Sequence, residues 1–167
     1  MLKVISLLVI ALLVNISHLH AAGMALPKGK VILTISGDLE RTNLDNIAQF
    51  DLDMLLALKQ TVINTTTPWT QGINKFEGPS VEDIMFYLGA QGKVISATAL
   101  NNFRISIPVA DIKDYPVIVA LKRNDEVLSV RKKGPGWIIY PWTEHKALRK
   151  NLFYTRAVWQ LKHLEIK

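Results

Sequence analysis

The stretch Lys132-Lys133-Gly134-Pro135-Gly136-Trp137-Ile138-Ile139-Tyr140-Pro141-Trp142 joins a glycine-proline turn to a short apolar and aromatic run. Two glycines around a proline mark a turn, and residues 137–140 have the β-branched and aromatic character of a strand. A second aromatic turn lies far upstream, at Thr65-Thr66-Thr67-Pro68-Trp69-Thr70. The two segments contain three of the four tryptophans of the chain, so they carry much of the surface available for aromatic packing or stacking.

These two segments, together with the order of the segments between them, resemble the molybdopterin-binding domain of the sulfite oxidase family. In that family a Gly-Pro strand forms part of the pterin pocket, and a cysteine four residues before a tryptophan ligates molybdenum. Thr65 stands four residues before Trp69, and the chain has no cysteine. The resemblance implies an α+β, sulfite-oxidase-like molybdopterin-binding fold, with mixed β-sheets and a few short helices, that lacks the metal thiolate.

Alternating patterns and turn residues predict the elements of this fold. Asp51 is suited to cap a short helix that runs to Leu58. A second helix is predicted to begin at Gly78-Pro79-Ser80 and to end at Gly89, and Asn101-Asn102 is the predicted turn of a hairpin. We expect strands over 30–36, 60–67, 73–77, 94–100, 103–107, 117–121, 127–130, 137–140 and 158–166.

The first 22 residues have the pattern of an export signal. Lys3 is followed by an apolar run over 4–14 that is too short to span a bilayer comfortably, and then by small residues suited to signal peptidase. We predict a signal peptide over 1–22, with cleavage after Ala22 or after Ala25, and one domain over 23–167. The alternative is a retained N-terminal anchor. In either case we expect the folded part in the periplasm or outside the cell.

Charge and cysteine content narrow the classes of function. The 20 basic and 14 acidic residues give a net charge of +6, which favours anionic ligands or an acidic protein partner. No basic helix suited to a DNA groove is visible, so we expect no nucleic acid partner. Without cysteine the chain offers neither a disulfide nor a thiolate, and the spacing of His145 and His163 disfavours a zinc site.

Two departures from the family pattern point to the ligand. Trp137 and Trp159 stand where the resemblance leads us to expect cations, which favours stacking over phosphate binding. A flat heteroaromatic ring, such as a free pterin without molybdenum, suits this change. In the expected site, the stacking planes are Trp69 and Trp137, and the hydrogen-bonding partners of the ligand edge are Thr65, Thr67 and Asn102. The cationic rim is Arg131, Lys133 and Arg156, and the turn glycine is Gly134. The structural alternative is that these residues serve only packing or solvated loops.

No sequence motif for catalysis is present. There is no nucleophile elbow, and Ser36 and the other serines lack a motif partner. The resemblance to small, exported, cysteine-free family members implies a non-catalytic pterin-binding regulator. Such a regulator docks on the periplasmic domain of a membrane-bound enzyme of cyclic-di-GMP metabolism. The alternatives are a molybdopterin-dependent oxidoreductase subunit whose metal site another ligand or chain completes, and an interaction protein with a vestigial pocket and a basic docking face.

Overall fold

The largest sheet of the protein has five strands in the order β2-β1-β11-β5-β6. The structure is a computed structural model that describes residues 23–167, so the predicted signal peptide over 1–22 lies outside the described residues. β1 and β11 pair in parallel, and the other neighbours are antiparallel. The last strand of the chain therefore lies at the centre of the sheet. The five strands are Leu33–Gly37 (β1), Ala48–Phe50 (β2), Val94–Ala99 (β5), Arg104–Pro108 (β6) and Leu161–Ile166 (β11).

Two smaller sheets carry the aromatic segments. The first has the order β3-β4-β8-β9, with strands Gln60–Thr67, Thr70–Pro79, Lys122–Arg123 and Glu126–Val127. The second pairs β7 (Ile118–Ala120) with β10 (Trp137–Ile139), and places Trp137 opposite Ala120. Both strands of this small sheet are fully buried, as expected for short runs of apolar residues.

Four short α-helices connect these strands within residues 23–167: α1 (Leu52–Leu56), α2 (Val81–Leu88), α3 (Val109–Asp114) and α4 (Asn151–Arg156). Asp51 caps α1, because its side chain accepts a hydrogen bond from Met54 N at 2.9 Å. Ser80 caps α2 in the same way through Asp83 N, also at 2.9 Å. No helix of the described part of the chain is both long and apolar enough to span a bilayer.

The predicted α+β class is confirmed, and most predicted strands and both predicted helices are present. The strand predicted over 127–130 is wrong, because only Val127 continues a strand. Ser129 O accepts hydrogen bonds from Lys132 N and Gly134 N, which bends residues 130–132 into a 3₁₀ turn. The last strand begins at Leu161 and not at 158, because Gln160 has a positive φ of 51° that interrupts the extended backbone.

Candidate ligand-binding site

Trp69 lies at the tip of the β3–β4 hairpin, in the two-residue turn that it forms with Pro68. Thr67 fixes this turn, since its Oγ1 accepts a hydrogen bond from Trp69 N at 3.1 Å and lies 2.9 Å from Thr70 Oγ1. The Thr67 hydroxyl therefore orients the turn, and its pairing with the edge of a ligand stays a prediction. Its contribution to the site is to hold the half-buried Trp69 in place.

Trp69 is the centre of a group of aromatic rings that we call the indole cluster. Its ring centroid lies 5.2 Å from that of Trp159, 6.0 Å from Trp137, 6.2 Å from Tyr154 and 6.5 Å from Trp142. All four pairs are tilted or edge-to-face, the arrangement that aromatic quadrupoles prefer. The cluster joins the β3–β4 hairpin, β10, α4 and the approach to β11, so the sheets and helices hold its rings.

A cavity of about 420 Å³ opens beside the indole cluster, and we call it the indole pocket. Its volume falls in the range of small-molecule sites. Four parts of the chain form its wall: the Trp69 turn, the β5–β6 hairpin, α4 and the segment before β11. Most of the lining is apolar, which suits a flat ring. The lining residues are Trp69, Ala99, Asn101, Phe103, Asn151, Tyr154, Thr155, Ala157, Val158 and Trp159.

Two exposed asparagines supply polar groups on this wall. Asn101 Oδ1 accepts a hydrogen bond from Phe103 N at 3.0 Å, which leaves its Nδ2 as a donor. The Asn151 side chain has no hydrogen-bond partner within residues 23–167, so its carboxamide can both donate and accept. Thr155 instead donates its hydroxyl to Leu152 O at 2.8 Å. The pocket thus combines apolar ring faces with two free amide groups.

Lys133 places a cation against the indole cluster. Its Nζ lies 3.9 Å from the ring centroid of Trp159, 5.4 Å from Trp137 and 5.9 Å from Trp69, all within cation–π range. Burial, followed by the nearby charge of Arg123, lowers the pKa of Lys133. The side chain does not line the indole pocket. Lys133 therefore acts on Trp159 from outside the cavity, and its role in a cationic rim or a docking face stays a prediction.

Trp137 and Thr65 are both inaccessible, which corrects their predicted contact with a ligand. The Trp137 ring is fully buried, and its Nε1 donates to Ala157 O at 3.2 Å, so it supports Trp69 from within the core. Thr65 is also fully buried. Its Oγ1 accepts from Thr143 N at 3.0 Å and lies 3.2 Å from Thr143 Oγ1. The Thr65 hydroxyl thus ties β3 to the segment after β10.

The other predicted residues do not line the indole pocket. Asn102 is exposed and accepts a hydrogen bond from Lys162 Nζ at 2.7 Å, while its neighbour Asn101 faces the pocket. Arg131 is exposed in a 3₁₀ turn. Arg156 is bound to Asp111, with Nη1 2.7 Å from Oδ2, so its charge is already paired.

Gly134 has a structural reason to be glycine. A Cβ atom at this position would lie 2.1 Å from Leu128 O, far closer than side-chain atoms approach a carbonyl oxygen. Gly134 therefore allows two backbone segments to touch and does not itself line the pocket. The predicted turn at Gly134 is present, since Gly134 N donates to Ser129 O at 2.7 Å, and the contact of this residue with a ligand stays a prediction.

Sequence reasoning did not select Asn101, Tyr154 or Asn151 as site residues. Tyr154 and Asn151 lie on α4, a helix that the sequence did not predict. The predicted hairpin turn was the one signal in the sequence that pointed to Asn101. Asn101 and Asn102 are adjacent in this turn, and the conformation of the turn determines which of them faces the cavity. Trp159 was recognised only as a replacement for a cation, although it both lines the pocket and contacts Trp69.

The residues present do not fit a molybdenum centre. The chain has no cysteine to provide a thiolate, and the buried Thr65 hydroxyl is engaged with Thr143. A neutral hydroxyl is a poor substitute for a soft thiolate ligand. Within residues 23–167 no three His, Cys, Asp or Glu side chains are grouped closely enough to hold a metal ion.

One serine gains a partner that its sequence context did not indicate. Ser36 Oγ on β1 lies 3.1 Å from His163 Nε2 on β11. Among the described residues no carboxylate forms a hydrogen bond to this imidazole, so the third member of a nucleophilic triad is missing. The pair joins two neighbouring strands of the central sheet.

Comparison with known proteins supports the fold. No protein-family model matches the chain, and no curated protein matches it in sequence. Among solved structures, it is similar to the sulfane dehydrogenase SoxCD from Paracoccus pantotrophus, with a TM-score of 0.62 and 19% sequence identity. The match covers 86% of this chain and 40% of that chain. The similarity bears out the predicted sulfite-oxidase-like α+β fold, and at this identity it concerns the fold alone.

Proposed function

We propose that the protein is a non-catalytic binding protein for a flat heteroaromatic ligand of the pterin class, which it binds in the indole pocket without molybdenum. The observation that carries this proposal is the meeting of Trp69 and Trp159 at one apolar cavity with the Nδ2 donor of Asn101 and the side-chain amide of Asn151. A pterin has two π faces and one edge of alternating donors and acceptors. One face of the ligand would stack on one of the two indoles, whose planes are 69° apart, while the other indole would contact its rim. Asn101 and Asn151 would pair with its polar edge.

The energetics of stacking favour this ligand class. Stacking a nucleobase-like ring on an aromatic side chain contributes about 1 to 3 kcal/mol. An unpaired polar edge buried in the pocket would cost a similar amount, so the free amide groups are needed as well as the indoles. Lys133 outside the cavity adds a positive field at Trp159, which favours an electron-rich ring over a cationic ring.

The regulatory part of the proposal rests on where the pocket lies. Its wall includes the β5–β6 hairpin turn and α4, whose Phe103 and Leu152 are about half exposed. A ligand that orders these two elements would change an exposed apolar surface, and a partner that recognises the changed surface would sense the ligand. We propose the periplasm as the location and the periplasmic domain of a membrane-bound cyclic-di-GMP enzyme as this partner.

A titration with tetrahydropterin under anaerobic conditions tests the proposal, with tryptophan fluorescence and calorimetry as readouts. We expect saturable binding, and Trp159→Ala should weaken it by about 5- to 150-fold. Phe86→Ala is the matched control, because this ring on α2 is 87% exposed and does not line the pocket. No heat and no quenching up to millimolar ligand would contradict the proposal. Metal analysis of protein purified from its natural source tests the oxidoreductase alternative, which requires bound molybdenum.

A further inference from the structure

A second concavity, of about 570 Å³, lies apart from the indole pocket and shares none of its lining residues. We call it the lysine groove. It is formed by the segment that leads into β1, the hairpin residue Leu100, the loop over 128–135 and the start of β11. Its lining residues are Lys30, Val31, Ile32, Thr34, Leu100, Leu128, Ser129, Val130, Pro135, Lys162 and His163.

The groove is lined mainly by apolar side chains, and its charged side chains are all positive. Six of its lining residues are apolar, and two of these, Leu100 and Val130, are 44% and 48% exposed. Lys30 and Lys162 are its charged groups, and no Asp or Glu lines it. Burying hydrocarbon here would be favourable at about 25 cal/mol per Å². A matching ligand is therefore apolar along most of its length and carries a negative charge.

Hydrogen bonds hold the walls of the groove in place before any ligand binds. Lys162 Nζ donates to Asn102 Oδ1 at 2.7 Å, and Gln160 Nε2 donates to Val130 O at 3.0 Å. Ser129 O accepts from Gly134 N at 2.7 Å. A preformed wall lowers the entropy cost of binding. Lys30 forms no ion pair or side-chain hydrogen bond within residues 23–167, so its ammonium is free to meet an anion.

The sheet topology disfavours an extended peptide as the occupant. A peptide that adds to a sheet needs a free strand edge. The strands that contribute lining residues to the groove are β1, which lies between β2 and β11, and β11, which lies between β1 and β5. Their backbone groups are already paired on both sides. Recognition in this groove must therefore come from side chains, which suits an unbranched hydrocarbon better than a polypeptide.

We propose that the lysine groove binds an anionic amphiphile: a single hydrocarbon chain that ends in a carboxylate, as in a free fatty acid. The chain lies along Val31, Leu100 and Val130, and the carboxylate meets the ammonium groups of Lys30 and Lys162. This site does not depend on the function proposed for the indole pocket, since the two cavities have no wall residue in common.

The test is a titration of ¹⁵N-labelled protein with dodecanoate below its micelle concentration. We expect saturable amide shifts at Leu100, Val130 and Lys162, with those of Tyr154 and Trp159 unchanged. Dodecyltrimethylammonium, which has the same chain and the opposite charge, should not bind. Lys30→Gln should weaken dodecanoate binding by about three- to fivefold, as expected for a partly exposed ion pair.

Lys150→Gln removes an equal charge from an exposed site outside the groove and should leave the affinity unchanged. Lys30 is itself exposed, so its substitution should not affect folding. Three results would overturn the proposal: no saturable shifts, shifts confined to the indole pocket, or equal binding of the cationic amphiphile. Equal loss of affinity in the Lys30 and Lys150 variants would show that dodecanoate is attracted by the net charge of the protein alone. That result would also overturn the proposal.

Discussion

At the scale of single residues, the contact between Gly134 and the carbonyl of Leu128 is one of the tightest backbone approaches among the described residues. Gly134→Ala would put a Cβ atom 2.1 Å from that oxygen and 2.5 Å from its carbon, so two backbone segments must separate. We expect this change to lower the free energy of unfolding by about 1 to 3 kcal/mol, the usual cost of overpacking. Chemical denaturation of the variant measures this loss.

Gly23→Ala is the control for that measurement, because its nearest neighbour would be Thr42 O at an ordinary 3.7 Å. Equal stability of the Gly134 and Gly23 variants would contradict the close-approach argument. The sequence predicts Gly134 as a turn residue, because glycine beside proline is a local signal. It does not predict the contact with Leu128, which depends on how a separate segment folds back.

For the tryptophans, too, the sequence predicts the local structure but not the tertiary contacts. Sequence patterns and the family resemblance place Trp69 and Trp137 in neighbouring segments, and their rings do lie close together. Which of the two remains accessible depends on the pairing of β10 with β7, which encloses Trp137 completely. A single sequence predicts aromatic strand residues well, but it cannot assign the one that packs and the one that lines a cavity.

At the scale of elements, α4 is held to α3 by a buried ion pair. Arg156 Nη1 lies 2.7 Å from Asp111 Oδ2, which also accepts the hydroxyl of Tyr140 at 3.0 Å. Burial and the charge of Asp111 raise the pKa of Tyr140, so this hydroxyl stays protonated. Asp111→Leu would leave Arg156 without a partner, and we expect a loss of about 3 to 5 kcal/mol in unfolding free energy.

The double variant Asp111→Leu, Arg156→Met tests this reasoning, because it removes both charges. We expect it to recover part of the stability, since no unpaired charge remains, while the buried Tyr140 hydroxyl still lacks its acceptor. Glu126→Gln breaks the exposed Lys132–Glu126 pair and should leave stability unchanged. A double variant as unstable as the single variant would contradict the ion-pair account. The single variant should also weaken pocket ligands, because α4 carries Asn151 and Tyr154.

Neither α3 nor α4 was predicted from the sequence, and both are short. Each has six residues and no side-chain hydrogen bond at its N-terminus. The signals that identified α1 and α2 were capping residues, Asp51 and Ser80, followed by apolar residues at helical spacing. Because α3 and α4 depend on packing and on their shared ion pair, local patterns carry little information about them. The part of the site contributed by α4 was missed for this reason.

At the scale of the whole molecule, the central sheet brings the two ends of the domain together. β11 lies between β1 and β5, so residues more than 120 positions apart share one surface. Both cavities border the end of this sheet, since Ala99 and Asn101 line the indole pocket and Leu100 lines the lysine groove. Strand order is the feature that the sequence could not provide, because each strand signal is local while pairing is global.

This central position of β11 predicts how stability depends on pH. Burial lowers the pKa of His163 below its usual 6.5; Arg104 and Lys162 lower it further, and Glu165 opposes them. The unfolded chain therefore binds a proton at a higher pH than the folded protein does. Above about pH 6.5 the imidazole is neutral in both the folded and the unfolded state, so its titration does not change the free energy of unfolding. As the pH falls through about 6.5, the unfolded chain takes up the proton first, which lowers the free energy of unfolding.

We accordingly expect the free energy of unfolding to decrease between pH 7.5 and pH 5.5, and His163→Gln to flatten that slope. Glutamine can keep a hydrogen bond to Ser36, so the comparison isolates the charge. His145→Gln is the comparison variant, because it removes an imidazole that lies outside the central sheet. Denaturant titrations at several pH values measure these slopes. If the His163 variant kept the full slope of the parent protein, proton binding at β11 would not be the cause.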